Sequence, residues 1–210
     1  NQSRNSAWNE ADDPRTIVAD KSKSPSEAIK QLVINPQDFN IDCGTFCQAI
    51  ILTGMLNSMG ESEFNNYINQ EVSSKGEDGF ALRNHASTGL RVKSDWQRPF
   101  QKNELMDFYG NVVEPNVFLK KAGLGTVINL QNDFLSGTPY ANENIVKVGN
   151  DEYFAQGLGS GAKSMKKIKK NLVKKSVELG TIPNRRKAKK SALKSIFIRQ
   201  ATEYDLNIKK

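Results

Sequence analysis

An abrupt change of composition near residue 42 constrains the fold of this chain more than any other feature. The polar, turn-prone run Asn35 to Asp42 is followed by a nearly all-apolar segment, Cys43 to about Asn57, with apolar residues at helical spacing. Asp42 is a suitable N-cap, because its carboxylate can accept a hydrogen bond from a free backbone N–H of the first turn. A helix that is apolar on most sides is buried. The pattern therefore predicts a central, buried helix with Cys43 in its first turn.

Two interpretations of this cysteine stay open on the residues alone. The positive end of a helix lowers the pKa of a thiol, and the thiolate is the nucleophilic form, so Cys43 is a candidate nucleophile. Free cysteine is also among the most buried residue types, and the alternative is that Cys43 packs as a small core residue. Cys47 lies one turn later and is predicted to be structural. A regular helix does not suit a disulfide between the two.

The composition limits the class of protein. Hydrophobic residues make up 37% of the 210 residues and charged residues 25%, which predicts one core with polar flanks. No run reaches the roughly 20 apolar residues of a membrane span. One histidine and two cysteines exclude most structural zinc sites, so we expect neither a metal nor a cofactor. Residues 1–162 carry 14 basic and 20 acidic side chains, whereas residues 163–210 carry 16 basic and 3 acidic ones.

The first half of the chain is predicted to be mainly helical. Residues 1–24 nearly lack apolar groups and are predicted to form a mobile arm, followed by a single domain over 25–205 and a tail over 206–210. Helices are predicted from Ser24-Pro25 to about Asn35, over the cysteine segment up to Gly60, and from Glu61 to Glu71. Residues 73–98, which contain His85 and Trp96, are predicted to form a long loop. His85 is predicted to be a solvated loop residue.

The period of the apolar residues changes after residue 111. Short strands separated by turns are predicted at Val112-Val113, Val117-Phe118, Thr126 to Ile128, Ile145 to Val148 and Glu152 to Ala155. The Gly149-Asn150-Asp151 turn predicts a hairpin between the last two. Two basic amphipathic helices follow, one from about Met165 and one from about Lys187 that includes Ile196 and Phe197. We expect both to cover the sheet, with at most weak electrostatic contact between the segment 163–199 and acidic surfaces.

Stretches in three separate regions of the chain resemble the bacterial spore-coat type of protein-glutamine γ-glutamyltransferase, with a papain-like core of the NlpC/P60 kind. Asp42-Cys43-Gly44-Thr45 resembles the segment that opens the family's cysteine helix, which ends near Met59-Gly60-Glu61 here. Asn142-Glu143-Asn144 and Tyr153-Phe154-Ala155-Gln156-Gly157-Leu158-Gly159 resemble two later strands, and Gln200-Ala201-Thr202 resembles the family's ending. The resemblance implies an α+β fold in which the cysteine helix packs on a short antiparallel sheet.

The resemblance also implies the roles of individual residues. Cys43 corresponds to the catalytic cysteine, Glu143 to the glutamate that works with it, and Asp42 to a glutamate that precedes the cysteine. The family's histidine is Gln156 here, and Gln can orient or donate a hydrogen bond but cannot take up a proton at neutral pH. An aromatic residue near the site is Trp in the family and Tyr140 here. Tyr140 and Trp96 are candidate substrate-binding residues, although packing on the body is an equal alternative for Trp96.

The implied activity is isopeptide crosslinking of protein glutamine and lysine side chains through a cysteine thioester. The implied partners are protein substrates that carry these side chains, the enzyme is expected to be a monomer, and its location would be the spore coat if it follows the family. Two alternatives remain. The first is a protein-glutamine deamidase, such as a secreted or delivered effector, that uses the same thioester with water as acceptor. The second is a non-catalytic relative or basic binding module in which Gln156 marks lost activity.

Overall fold

The computed structural model describes residues 6–10, 16–35, 38–39, 41–83, 87–99, 103–158 and 161–206. The chain forms two compact units, one of Asn1–Arg91 with Asp205–Lys210 and one of Val92–Tyr204. Each unit combines helices with an antiparallel sheet, which confirms the predicted α+β class. The single domain predicted over 25–205 stays a prediction. His85, predicted to be a solvated loop residue, lies outside the described residues.

Three helices build the first unit: α1 (Pro25–Ile34), α2 (Cys43–Met59) and α3 (Glu61–Ser74). Each begins where the sequence predicts. The Ser24 hydroxyl accepts a hydrogen bond from the Glu27 backbone N–H, and the Glu27 carboxylate accepts one from the Ser24 N–H, so α1 starts with a capping box. Gly60 has a φ of 81°, a left-handed value that glycine adopts without strain, and this conformation separates α2 from α3. Fully buried apolar side chains join the three helices: Ile29, Leu32, Leu52, Phe64 and Ile68.

A small sheet completes the first unit and corrects the prediction of a mobile arm over residues 1–24. Strands β1 (Trp8–Glu10), β2 (Thr16–Ala19) and β3 (Ala81–Arg83) pair antiparallel in that order. The described part of the predicted arm therefore contains two strands. Trp8 explains the difference, because its side chain is buried, its indole N–H donates to the Ala28 carbonyl (2.7 Å), and its ring packs on Phe80 (5.3 Å between centroids). Ile17 and Ala19 of β2 are also buried, so the arm carries a small apolar face of its own beside this large aromatic residue.

The second unit contains a seven-stranded antiparallel sheet in the order β6-β5-β4-β10-β7-β8-β9. Its strands are β4 (Val92–Gln97), β5 (Leu105–Asp107), β6 (Val112–Val113), β7 (Val127–Gln131), β8 (Asn142–Gly149), β9 (Glu152–Ala155) and β10 (Phe197–Tyr204). The hairpin predicted between β8 and β9 is confirmed, with Asp151 in the left-handed region at a φ of 52°. The prediction of a long loop over residues 73–98 is wrong, because β3 and β4 lie within this range. Trp96 is consequently a strand residue.

Helices α4 (Pro115–Lys121), α5 (Met165–Glu178) and α6 (Arg186–Ser195) complete the second unit and correct two further predictions. Val117 and Phe118 lie in α4 rather than in a strand, since Pro115 at the first helical position starts a helix there. The helix predicted through Phe197 ends at Ser195, and Phe197 begins β10 in the middle of the sheet. The predicted apolar stripe of α5 and α6 is buried in the core of this unit, with Met165, Ile168, Leu172, Ala192 and Ile196. In the part of the chain that the structure describes, no helix combines the length and apolarity of a membrane span.

Candidate active site

The cysteine helix begins as the sequence predicts, at Cys43. Asp42 has extended backbone geometry (φ −75°, ψ 164°), and its carboxylate accepts a hydrogen bond from the Thr45 backbone N–H at 2.6 Å. The Asp42 carbonyl accepts the first intrahelical bond, from the Phe46 N–H at 3.0 Å. Cys43 is therefore the first residue of a capped helix, at the end where the helix dipole is positive. Cys43 is half-buried, whereas Cys47 is fully buried.

A buried polar contact ties this helix to the rest of the first unit. The Ser87 hydroxyl donates to the side-chain oxygen of Gln48, and both residues are buried. The same hydroxyl oxygen accepts a hydrogen bond from the Arg83 backbone N–H at 3.0 Å, at the end of β3. The second turn of α2 is thereby linked to the small sheet, which fixes the helix that carries Cys43.

Glu143 is the second residue of β8 and is almost completely buried, with 3% of its surface exposed. In the antiparallel pairing with β7 it stands opposite Leu130, and Ile145 stands opposite Ile128. Opposed residues and residues two apart share one face of a sheet, so Glu143 shares the face of these core residues. Glu143 is therefore a buried strand residue and not a solvent-exposed one.

The loop that leads into Glu143 is held by a buried asparagine. The Asn132 side chain accepts from the Phe134 backbone N–H (3.2 Å) and donates to the Ser176 hydroxyl on α5 (3.3 Å). The Asn132 backbone N–H donates to the Ala141 carbonyl at 2.9 Å, which closes the loop at its base. Tyr140 lies in this loop, three residues before Glu143, and the Lys175 ammonium lies 5.4 Å from the centre of its ring. Tyr140 is thus positioned by contacts with α5.

Gln156 follows β9 directly and begins a short 3-10 helix, Gln156–Leu158. The last residue of β9, Ala155, stands opposite Ile145 of β8, which comes two residues after Glu143. Gln156 is half-buried. Gln156 therefore lies just beyond the end of the β8–β9 pairing, the same end at which Glu143 lies on β8.

Trp96 lies on a different part of the sheet. Strand β4 is three positions away from β8, which corresponds to about 14 Å at the usual spacing of strands. The Trp96 ring packs on Phe118 (5.5 Å between centroids), and its indole N–H donates to the Glu203 carboxylate at 3.2 Å. With these contacts Trp96 packs on the body of the second unit. Its substrate-binding role stays a prediction.

Two sets of polar contacts in the second unit were not predicted from the sequence. The Asp95 carboxylate on β4 accepts hydrogen bonds from the Gln200 amide (3.0 Å) and the Thr202 hydroxyl (2.8 Å) of β10. These two residues belong to the Gln-Ala-Thr segment, so the resemblance indicated their position but not their partner. Lys147 is buried and donates to the carbonyls of Leu119 and Ala122, both at 2.7 Å, at the end of α4. Lys147 lies two residues after Ile145 and four after Glu143 on β8, and this spacing was the sequence feature that could have indicated its burial.

The site residues thus fall into two groups. Asp42 and Cys43 lie together in the first unit, and Tyr140, Glu143 and Gln156 lie near one end of strands β8 and β9 in the second. Among the described residues, no group of three histidine, cysteine or carboxylate side chains is arranged to hold a metal ion.

Comparison with known proteins identifies the family. A family model described as protein-glutamine gamma-glutamyltransferase matches residues 1–206 of the chain. The fold is similar to that of the transglutaminase from Geobacillus stearothermophilus (without C-terminal extension), with a TM-score of 0.54, 14% sequence identity, and coverage of 94% of this chain and 74% of that chain. Comparison with curated protein sequences gives no match. Because the family model spans nearly the whole chain, the chain belongs to the protein-glutamine γ-glutamyltransferase family and is an acyltransferase of the transglutaminase type.

Proposed function

We propose that Cys43 is the nucleophile of the transglutaminase reaction in this protein. Its Sγ, as thiolate, attacks the carboxamide carbon of a protein glutamine. The carbon–nitrogen bond breaks, ammonia leaves, and a thioester between Cys43 and the substrate remains. What supports this role is the position of Cys43 at the first residue of a capped helix and its partial exposure, in contrast to the fully buried Cys47.

Glu143 is the proposed acid–base group. In the first half of the reaction its carboxylate takes the thiol proton and passes it to the leaving ammonia. In the second half it removes a proton from the lysine ε-amine that attacks the thioester, and the thiol of Cys43 is regenerated as the isopeptide bond forms. The observation that carries this proposal is the burial of Glu143. A carboxylate shielded from bulk water can pass a proton between two reacting groups without losing it to solvent.

The other predicted site residues have supporting roles in this proposal. Asp42 positions Cys43 by capping the helix, because its carboxylate binds the Thr45 N–H. Gln156 orients Glu143 or the substrate carboxamide through neutral hydrogen bonds. Tyr140 provides an aromatic wall beside the glutamine side chain of the substrate.

The family favours acyl transfer to an amine over the deamidase alternative. One experiment separates crosslinking, deamidation and inactivity. The protein is incubated with a glutamine-rich donor protein, with and without a labelled primary amine, and both ammonia and incorporated label are measured. Crosslinking predicts ammonia together with incorporated label and isopeptide-linked products. Ammonia without incorporation would identify a deamidase, and neither product would identify a non-catalytic relative.

A further inference from the structure

Helices α5 and α6 present a strongly cationic surface to solvent. Within residues 163–199, eleven basic residues are exposed and Glu178 is the one acidic residue. On each helix, three exposed lysines lie at positions n, n+3 and n+7, which places them on one stripe. We call these six residues the basic face: Lys167, Lys170 and Lys174 on α5, and Lys187, Lys190 and Lys194 on α6.

The basic face is not required to hold the fold together. The opposite sides of both helices supply the buried contacts, with Ile168 and Leu172 from α5 and Ala192 from α6. Glu178 is the one carboxylate on these two helices, and it pairs with Lys174 (3.4 Å) and Lys175 (3.2 Å). The other five lysines of the basic face therefore have no carboxylate on α5 or α6 with which to pair. Like charges along a helix lower its stability, so the stripe is better explained by a negatively charged partner than by stability.

Helix α5, which carries three lysines of the basic face, contacts the loop that bears Tyr140. Lys175 and Ser176 of α5 contact the loop before β8, through the Tyr140 ring and the Asn132 side chain respectively. Tyr140 comes three residues before Glu143. A substrate segment that lies along α5 therefore passes the aromatic wall proposed beside the reactive glutamine.

We propose that the basic face docks acidic segments of the protein substrate, so that glutamines flanked by aspartate or glutamate are the preferred acyl donors. This inference rests on the proposed function. A protein partner fits better than a nucleic acid, since neither helix carries an aromatic side chain on which bases could stack. The apolar residues of both helices face the core, which leaves no apolar outer face for insertion into a lipid surface.

The test compares two glutamine peptides that differ only in the residues around the glutamine, acidic in one and serine in the other. The rate of incorporation of a labelled primary amine is measured at low and at about 0.5 M salt. We expect kcat/KM to be at least about fivefold higher for the acidic peptide, mainly through KM, and this preference to shrink at high salt as surface charges are screened. Two triple variants should lower the ratio of kcat/KM for the acidic peptide to that for the serine peptide towards one. These variants are Lys167→Gln/Lys170→Gln/Lys174→Gln and Lys187→Gln/Lys190→Gln/Lys194→Gln.

A matched control removes the same charge from exposed lysines outside the basic face, in Lys21→Gln/Lys23→Gln/Lys93→Gln. This variant should keep the full preference. Equal kcat/KM values for the two peptides in the native protein would overturn the docking proposal while leaving the proposed activity intact. Absence of turnover with both peptides, despite labelling of Cys43, would instead contradict the proposed function.

Direct binding provides a readout that does not depend on turnover. The Cys43→Ala protein is titrated into the labelled acidic peptide and into a single-stranded oligonucleotide of equal net charge, with fluorescence anisotropy as the signal. We expect tighter binding to the peptide than to the oligonucleotide. Tighter binding to the oligonucleotide would overturn the proposal and identify a nucleic-acid surface.

Discussion

Leu130 stands directly opposite Glu143 in the pairing of β7 with β8, so the carboxylate shares the core-facing side of the sheet with an aliphatic side chain. A strand residue on that face is normally apolar, because an ionised carboxylate loses its hydration there. Natural proteins break such local rules mainly at functional sites. The burial of Glu143 is therefore the structural feature on which the proposed mechanism depends most.

The first prediction is that Glu143→Gln lowers kcat by at least about 100-fold, the usual contribution of a positioned acid–base group. The amide has nearly the same shape, so the thermal unfolding temperature should change little. The exposed Glu152 on β9 provides the matched control. Glu152→Gln should retain normal kcat, and a similar loss in both variants would contradict the assignment.

The second prediction concerns the two cysteines. Iodoacetamide at neutral pH should label Cys43 of the folded protein in preference to Cys47, because Cys43 is half-buried at a helix N-terminus and Cys47 is fully buried. Peptide mass analysis identifies the labelled site. Cys43→Ala should abolish amine incorporation, whereas Cys47→Ala should keep it and cost about 1 kcal/mol of unfolding free energy. Preferential labelling of Cys47 would argue against the nucleophile proposed here.

The third prediction separates the charge of Asp42 from its capping role. Asp42→Asn keeps an acceptor for the Thr45 N–H, so kcat should stay within about threefold and stability within about 0.5 kcal/mol. Asp42→Ala removes the cap and should cost about 1 kcal/mol of unfolding free energy, measured by urea denaturation, together with part of the activity. A hundredfold loss of kcat in a well-folded Asp42→Asn protein would make Asp42 a second catalytic carboxylate.

The fourth prediction tests the neutral residue that stands where the family has histidine. Gln156→Ala should reduce kcat less than Glu143→Gln, since an orienting hydrogen bond contributes less than proton transfer. Gln156→His should leave kcat unchanged or raise it. The competing base is His85. If His85→Ala abolished turnover while Glu143→Gln remained active, the base would be His85.

The fifth prediction concerns the link between β4 and β10. Asp95→Ala leaves the buried Thr202 hydroxyl and the Gln200 amide without their acceptor, which should cost about 2 to 3 kcal/mol of unfolding free energy. Asp133, an exposed carboxylate that accepts one hydrogen bond from Gln131, is the control. Asp133→Ala should cost less than about 1 kcal/mol, and urea denaturation of both variants measures the difference. Equal costs would mean that the Asp95 contacts add nothing to stability.

Local patterns were sufficient where neighbouring residues decide the structure. The Ser24 capping box, the Asp42 cap and Gly60 define helix boundaries through contacts within a few residues, and the sequence predicted all three boundaries. The Asp151 turn predicted the β8–β9 hairpin for the same reason. The family was also accessible, because its motifs are short runs of adjacent residues around Cys43, Glu143 and Gln156.

Prediction from the sequence failed where contacts between distant residues determine the secondary structure. Trp8–Glu10 and Thr16–Ala19 form strands where Trp8 donates a hydrogen bond to the Ala28 carbonyl and packs on Phe80, contacts that no local pattern contains. β10 is a central strand only because β4 and β7 flank it, and its partners Asp95 and Asn129 lie about 70 to 100 residues earlier in the chain.

The sequence by itself thus determined the α+β class, the capped cysteine helix, the hairpin after Glu143 and the family. Only the tertiary structure decided that Glu143 is buried opposite Leu130, that Trp96 packs on Phe118, and that Tyr140 is held by α5. The physical reason is that strand register and helix packing set the face on which a side chain lies. Both depend on hydrogen bonds and apolar contacts between segments far apart in the chain.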